Sequence, residues 1–465
     1  MPTMTVHPPA AAVDRLRTGL AGRLITPSDP AYDAMRTVAL GSVDPRPALI
    51  VRAASAEDVA LVVDVARIHD LEVAVRSGGH SGAAHSTIDD GLVLDLRDLD
   101  RLEIDVEGRT AWAGAGLTAG AYTTAVGAHG LATGFGDTGS VGLGGITLGG
   151  GVGYLGRKHG LTIDSLLAAE LVTADGRIRH VDAASEPDLF WAIRGGGGNL
   201  GVATRFQYRL HPVPSIVGGI LVLPATPETI AGFVAAADAA PDALSTIANV
   251  MPCPPMPFVP EAHHGRLVIL AMVAFAGDTA AGEAAVAPLR ALAEPLADLV
   301  REMAYAEMYP PEDASYRPTA EARTLFMDRL GIDEARTIVE RLGAIEAPMR
   351  VAQIRALGGA IARVPGDATA YAHRARRIMV NVAAFYEGDA DRPSKAAWVD
   401  GFAAALRQGA DDRYVNFVGD EGEAGVRAAY PGPTWDRLAA IKRRYDPTNL
   451  FRRNQNVTPA IEDVA

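Results

Sequence analysis

One cysteine in 465 residues, Cys253, leaves no partner for an internal disulfide and no basis for a cysteine-held metal cluster, and no metal is expected. It sits in MPCPPMP, without the context of a reactive thiol, and reads as buried filler. Positive charge is also scarce. The 43 Lys and Arg against 56 Asp and Glu give a net charge of −13, which argues against a nucleic-acid or anionic-membrane surface. No uncharged apolar run approaches the roughly 20 residues of a membrane span. The opening MPTMTVHPPAAAVDRL lacks a basic start followed by an apolar core, so the expectation is no secretory signal and a cytoplasmic location. Repeats and low-complexity tails are missing too. What remains is a globular α+β chain, long enough for two or more domains, as a monomer or homodimer.

Glycine is in excess. Twelve of the 27 residues at 134–160, GFGDTGSVGLGGITLGGGVGYLGRKHG, are Gly. Such a stretch makes a weak core and is costly to order. Its plausible gain is close backbone approach to a ligand, because concavities of N–H groups bind phosphates. GVGYLG (151–156) has the form GxGxxG, but it follows LGGG rather than an apolar strand, so a classical dinucleotide fold is the poorer reading. A glycine-rich turn without a ligand is the other alternative.

Along the chain, residues 12–24 read as a short amphipathic helix. Strands at 48–53 and 71–77 flank a helix opened by Ser55 with Asp58 as capping-box partner, a βαβ unit. Residues 91–96 form another strand, and hairpins are expected around Glu107-Gly108 and Asp175-Gly176. Helices are expected at 117–129 and from Ser185, again with a capping box. From about 216, strands (218–223, 266–277, 347–360, 376–388) alternate with Ala-rich helices (226–239, 279–297, 331–344). Pro clusters near 252–260 and 310–318 suggest loops over a pocket.

RSGGHSG (76–82), the loop at 139–167, ADGRIRHVDAASEPDLFWAIRGGGGNLGVAT (174–204) and the closing YVNF and YDPTNLFRRNQN resemble, in order, the berberine-bridge-enzyme-like FAD-linked oxidases of the vanillyl-alcohol-oxidase superfamily. The resemblance implies a two-subdomain PCMH-type FAD-binding domain at 45–215, after a helical lead-in at 1–44. It also implies an α+β substrate domain with an antiparallel sheet at 216–419, and a segment at 420–465 returning to the FAD domain. It places His80 at the covalent bond to the flavin 8α-methyl. Arg76, Ser77, Gly78, Gly79 and Ser81 fall in the pyrophosphate-binding turn. Thr138, Gly139, Gly142, Gly144, Gly145, Thr147 and Gly149 fall in a second cofactor loop. Gly198, Asn199 and Val202 match the segment beside the adenosine, and Asn454 an Asn near the ring.

Two positions depart from the family pattern. Doubly linked members carry Cys where this chain has Thr138, so one link, through His80, is implied. Many members end the YxNY motif in a Tyr that helps deprotonate the substrate, where this chain has Phe417. The candidates left for substrate chemistry are Tyr414, Asn381, Gln353 and Tyr386, with Arg355 on the same strand as Gln353; ordinary sheet packing is the alternative for the tyrosines. Asp420 and Glu421 read as a helix start, and His85 as a residue behind the site or facing solvent. The resemblance implies hydride transfer from a small alcohol, sugar or amine to FAD and then to O2, with Val141 leaving room for oxygen where a Leu in relatives goes with poor oxygen reaction. A dehydrogenase, an oxygenase and a flavin protein that sequesters a small molecule are the rivals.

Overall fold

The computed structural model describes residues 8–313 and 315–461; residues 1–7 and 462–465, which begin the lead-in and end the final segment, lie outside the described residues. The first part of the chain builds two sheets. Leu49–Arg52, Leu92–Asp95 and Val73–Arg76 run parallel, and Arg23–Ile25 adds antiparallel to Leu49–Arg52. Leu92–Asp95 is wholly buried, as a strand flanked on both edges in a parallel sheet should be. It lies between the two strands expected to form a simple βαβ pair, so that unit is split by a later strand. The helix between them, Ala56–His69, starts where Ser55 Oγ accepts the Asp58 N–H. Asp58 does not close the capping box. Its carboxylate accepts the N–H groups of Ala21, Gly22 and Ala54, tying down the lead-in. The lead-in helix, Ala10–Gly19, therefore stops short, and 23–25 is strand rather than helix.

A five-stranded antiparallel sheet follows, in the order Leu102–Asp105, Thr110–Gly114, Val202–Arg209, Leu166–Val172, Ile178–Asp182, with both expected hairpins at its edges. The helix Pro187–Ile193 begins at Glu186 in a left-handed conformation, without the capping box expected from Ser185.

Residues 216–385 supply an eight-stranded antiparallel sheet. Its order is Ala297–Asp298, Ile216–Pro224, Leu267–Phe275, Leu244–Pro252, Arg350–Ala356, Ile378–Phe385, Ala320–Met327, with Arg301–Met303 also on Ile216–Pro224. Alternate residues face opposite sides. Ala352, Ile354, Val380 and Val382 join a core with Phe233, Ile338, Leu342 and Phe402 from the covering helices Pro227–Ala239, Ile332–Gly343 and Arg392–Leu406. The helix expected over 279–297 ends at Arg290. Cys253 is buried among Val222, Val259 and Val268, so the first Pro cluster covers an apolar pack rather than a pocket.

The other large core joins Leu16, Val62, Leu94 and Phe206 to Val415, Leu438, Phe451 and Val457. The chain's end thus packs on its beginning, and Val415 and Val418 already belong to that core.

Candidate active site

Between the two cores lies a cavity of about 460 Å³. One wall is the turn after Val73–Arg76. A Cβ on Gly78 would collide with the Gly142 nitrogen, and one on Gly142 with Ser77 Oγ, so the 77–82 and 136–146 loops meet backbone on backbone. Ser77 Oγ pins the contact, donating to Ala115 O at 2.6 Å and accepting Gly144 N–H at 3.2 Å. Among the described residues the N–H groups of Gly78, Gly79, His80 and Ser81 have no acceptor within the protein. Gly145 lies in the helix Leu143–Leu148, is exposed to the cavity, and a Cβ there would meet nothing within 4 Å. Thr138, Val141, Gly198 and Val202 also line the space, as does Asn454, whose Nδ2 donates to Gly198 O while its buried Oδ1 has no partner among the described residues.

Other expected residues stand behind these walls. Arg76 is buried beneath its loop, donates to Ser86 O and lies 3.9 Å from Asp95; burial pushes its guanidinium down to about 10. Thr147 Oγ1 pairs with Tyr208 hydroxyl at 2.7 Å. Gly149 packs against the Asn416 side chain. Asn199 is a stitch to the chain end, donating to Gly196 O and Gln455 O and accepting Val457 N–H. Gly139 donates its N–H to Glu312. None of these five lines the cavity.

The opposite wall is sheet. The register sets Asn249, Gln353 and Asn381 side by side on neighbouring strands, a polar row on the face away from the helices. Asn381 lines the cavity, and its Oδ1 has no partner among the described residues. Gln353 is turned into the row: its Nε2 donates to Asn249 Oδ1 at 3.0 Å and its Oε1 accepts from Arg355. Arg355, 3% exposed, donates to Asp137 Oδ2 at 2.6 Å and to Val152 O at 3.1 Å, and its guanidinium lies 5.1 Å from the centre of the Phe417 ring. Tyr414 hydroxyl accepts the Gly151 N–H and Asn416 Nδ2–H, both at 3.0 Å, which leaves its own proton to give; burial holds its pKa up. Tyr386 is not at the site. It is buried beside Thr319, with its hydroxyl toward Ser42.

Two groups were not singled out from sequence. Asp137 is the one carboxylate among the cavity residues; a charged side chain inside a glycine-rich loop was its only signal. Glu312, in the second Pro cluster, reaches across to the glycine-rich loop, which nothing local could show. His85 lines the cavity rather than facing solvent; burial, with Arg453 nearby, lowers it to about 4.

A family model described as FAD binding domain matches residues 47–182, and one described as berberine and berberine like matches 413–458. (R)-6-hydroxynicotine oxidase of Paenarthrobacter nicotinovorans is 32% identical over 458 residues, spanning 95% of this chain and 97% of its own. The chain belongs to the berberine-bridge-enzyme-like FAD-linked oxidoreductases. It is an FAD-binding oxidoreductase. The crystal structure of 6-hydroxy-D-nicotine oxidase from Arthrobacter nicotinovorans superposes with a TM-score of 0.82 at 28% identity, over 95% of this chain and 98% of that one. A berberine-bridge-enzyme-like protein from Physcomitrella patens shares the fold, with a TM-score of 0.85 at 21% identity over 96% and 99% of the two chains.

The cavity suits FAD on its own terms. Four successive unpaired N–H groups offer the concavity a diphosphate needs. The space over Gly145 is one that any side chain would fill, and the orphaned Asn454 Oδ1 and His85 Nε2 await polar partners. Among the described residues no three His, Cys, Asp or Glu are grouped to hold a metal ion, and no helix is long and apolar enough to cross a membrane.

Proposed function

We propose that this chain is an oxidase that removes hydride from a C–H bond beside an O–H or N–H of a small alcohol, sugar or amine and passes the electrons to O2 as peroxide. FAD is held at 45–215 and 420–465, tethered through His80 alone, and substrate is held over it by 216–419. The observation that carries this reading is the cavity itself, with His80, the unpaired N–H groups and Asp137 on one wall, Asn381 and Arg355 on the other, and Tyr414 beside them. FAD supplies hydride acceptance; the protein supplies orientation and electrostatics. With Phe417 in place of a phenol, Asp137 is the proton acceptor. Its Oδ2 is fixed by Arg355, and its Oδ1, which accepts no hydrogen bond among the described residues, takes the heteroatom proton. Asn381 Oδ1 accepts the substrate's remaining N–H or O–H, and the Tyr414 proton is available to a substrate oxygen. Thr138 beside the cavity has no thiol for a second tether, and the place of Val141 in the lining supports the reading that O2 has room to reach the flavin there. One cysteine in 465 residues fits a reducing, cytoplasmic setting.

Aerobic screening of an alcohol, sugar and amine panel for peroxide tests the reading. Steady peroxide from one class supports the oxidase. Flavin reduction that needs an added acceptor makes the protein a dehydrogenase, and binding without turnover makes it a carrier.

A further inference from the structure

The two ring nitrogens of His80 are told apart by a chain of hydrogen bonds that starts outside the cavity. Nε2 lies 3.0 Å from Ser140 Oγ. The Ser140 hydroxyl donates to Glu312 Oε2 at 2.5 Å. A hydroxyl has one proton to give. With that proton on Glu312, Ser140 Oγ accepts, so His80 Nε2 must be the donor. Burial lowers the His80 pKa, against the pull of Glu312 and of a hydrogen bond to the Ser140 backbone, and so favours the neutral ring. A neutral imidazole protonated at Nε2 carries its lone pair on Nδ1. Among the described residues none bonds to Nδ1, and His80 lines the cavity. The far end of the relay is equally fixed: Glu312 Oε1 accepts Gly139 N–H at 2.7 Å and Ser140 N–H at 3.1 Å.

We propose that Glu312 and Ser140 are positioning residues for flavin attachment: they hold His80 in the tautomer whose Nδ1 forms the bond to the 8α carbon, and they receive the Nε2 proton as it forms. This rests on the reading of His80 as the tether. The arrangement is a carboxylate, a hydroxyl and an imidazole in series, the base–orienter logic of activated nucleophiles. His80 Nδ1 bonds to the methyl carbon, which loses one C–H bond. The Nε2 proton passes to Ser140 while the Ser140 proton passes to Glu312. The two electrons left on the flavin are taken by O2, which leaves as hydrogen peroxide with the proton lost from the methyl carbon and the one delivered to Glu312. Glu312 belongs to the segment after the short helix Tyr305–Met308, in the substrate half, while Ser140 and His80 belong to the FAD half. The tether is thus made under the supervision of the opposite half of the molecule.

The test measures attachment, not turnover. Wild type, Glu312→Gln, Ser140→Ala and Ser140→Thr are produced with limited flavin and incubated with FAD. Bound flavin is measured on the native protein, and attached flavin by intact mass after acid precipitation. The expected result is normal FAD binding in all four, attachment about 100-fold slower in Glu312→Gln and Ser140→Ala, and recovery in Ser140→Thr. Wild-type attachment rates in both slow variants would overturn the proposal. If the variants fail to fold, the wild-type histidyl-flavin peptide decides: linkage at Nδ1 supports the relay, and linkage at Nε2 overturns it. A wild type with no attached flavin would instead defeat the His80 tether itself.

Discussion

Replacing Gly145 separates the stability of the fold from the affinity for its cofactor, because the two respond with opposite sign. The residue sits in the helix Leu143–Leu148 with ordinary helical backbone, and a Cβ there meets nothing within 4 Å. For the cofactor-free protein, Gly145→Ala removes the entropic penalty of a helical glycine without a clash and stabilises the fold by roughly 0.5–1 kcal/mol. For the FAD complex the same methyl intrudes on filled space. Overfilling a packed site costs about 1–3 kcal/mol, which is about 5- to 150-fold in Kd. Gly145→Val, larger and β-branched, gives up the helical gain and loses more affinity. The assay uses a His80→Ala background, so that flavin exchanges freely: urea unfolding of the apoprotein, then FAD titration followed by flavin fluorescence. Apoprotein weakened by Ala would refute the local packing argument. Unchanged FAD affinity in both variants would show that Gly145 does not face the cofactor.

His80→Ala should release all flavin on acid precipitation, whereas the parent stays yellow and heavier than its chain by one FAD; retained flavin in the variant would sink the tether. Val141→Leu should slow reoxidation of photoreduced enzyme with the reductive half-reaction nearly unchanged, read by stopped flow; equal rates would remove Val141 as an oxygen gate. Once the panel yields a substrate, Asp137→Asn should keep its FAD and lose on the order of 10²–10⁴ in kcat; near-normal turnover would place the base elsewhere. His85, His159 and His211 are held to about 4, 3 and 4, chiefly by burial, against 6.5 in the unfolded chain. The unfolded state therefore binds protons that the fold refuses. This contribution is full above about pH 6.5 and is lost as pH falls toward the folded values. Urea midpoints at pH 7 and pH 5 should fall accordingly, and less steeply in His159→Gln, whose ring stacks on His211 with centroids 4.0 Å apart.

Much of the scaffold is legible in local signals. Asp175-Gly176 turns a hairpin, Ser55 caps a helix, and the apolar runs at 49–52 and 92–95 are buried strands. Other elements hide because their residues favour another state. AEARTLFM, rich in helix formers, is the edge strand Ala320–Met327, held extended by pairing with Ile378–Phe385; tertiary context overrides its propensity. Leu244–Pro252 hides behind Ser245, Thr246 and Asn249, the first two of which the neighbouring strands bury. In the site, the glycine turns and His80 stand out in the sequence, whereas Asp137–Arg355 and Ser140–Glu312 join residues 218 and 172 positions apart. Only the packing of one half on the other creates those pairs. Tyr386 shows the converse, a phenol near the right strand whose chain has already turned away from the cavity.

The union of Leu16, Val62 and Phe206 with Leu438, Phe451 and Val457 in a single core has a consequence for biosynthesis. Domains emerging from the ribosome usually fold in order, the first one made folding first. Here the first is made to wait. At roughly 5–20 residues per second, the segment that completes it arrives some tens of seconds later, after the intervening sheet is complete and free to close. Throughout that interval the nascent first half carries an open apolar face, a binding site for chaperones and a liability for aggregation. A premature stop or a protease cut within the last fifty residues therefore removes far more than a tail. It leaves two hundred earlier residues without the partner they fold against, and such fragments should be degraded rather than accumulate.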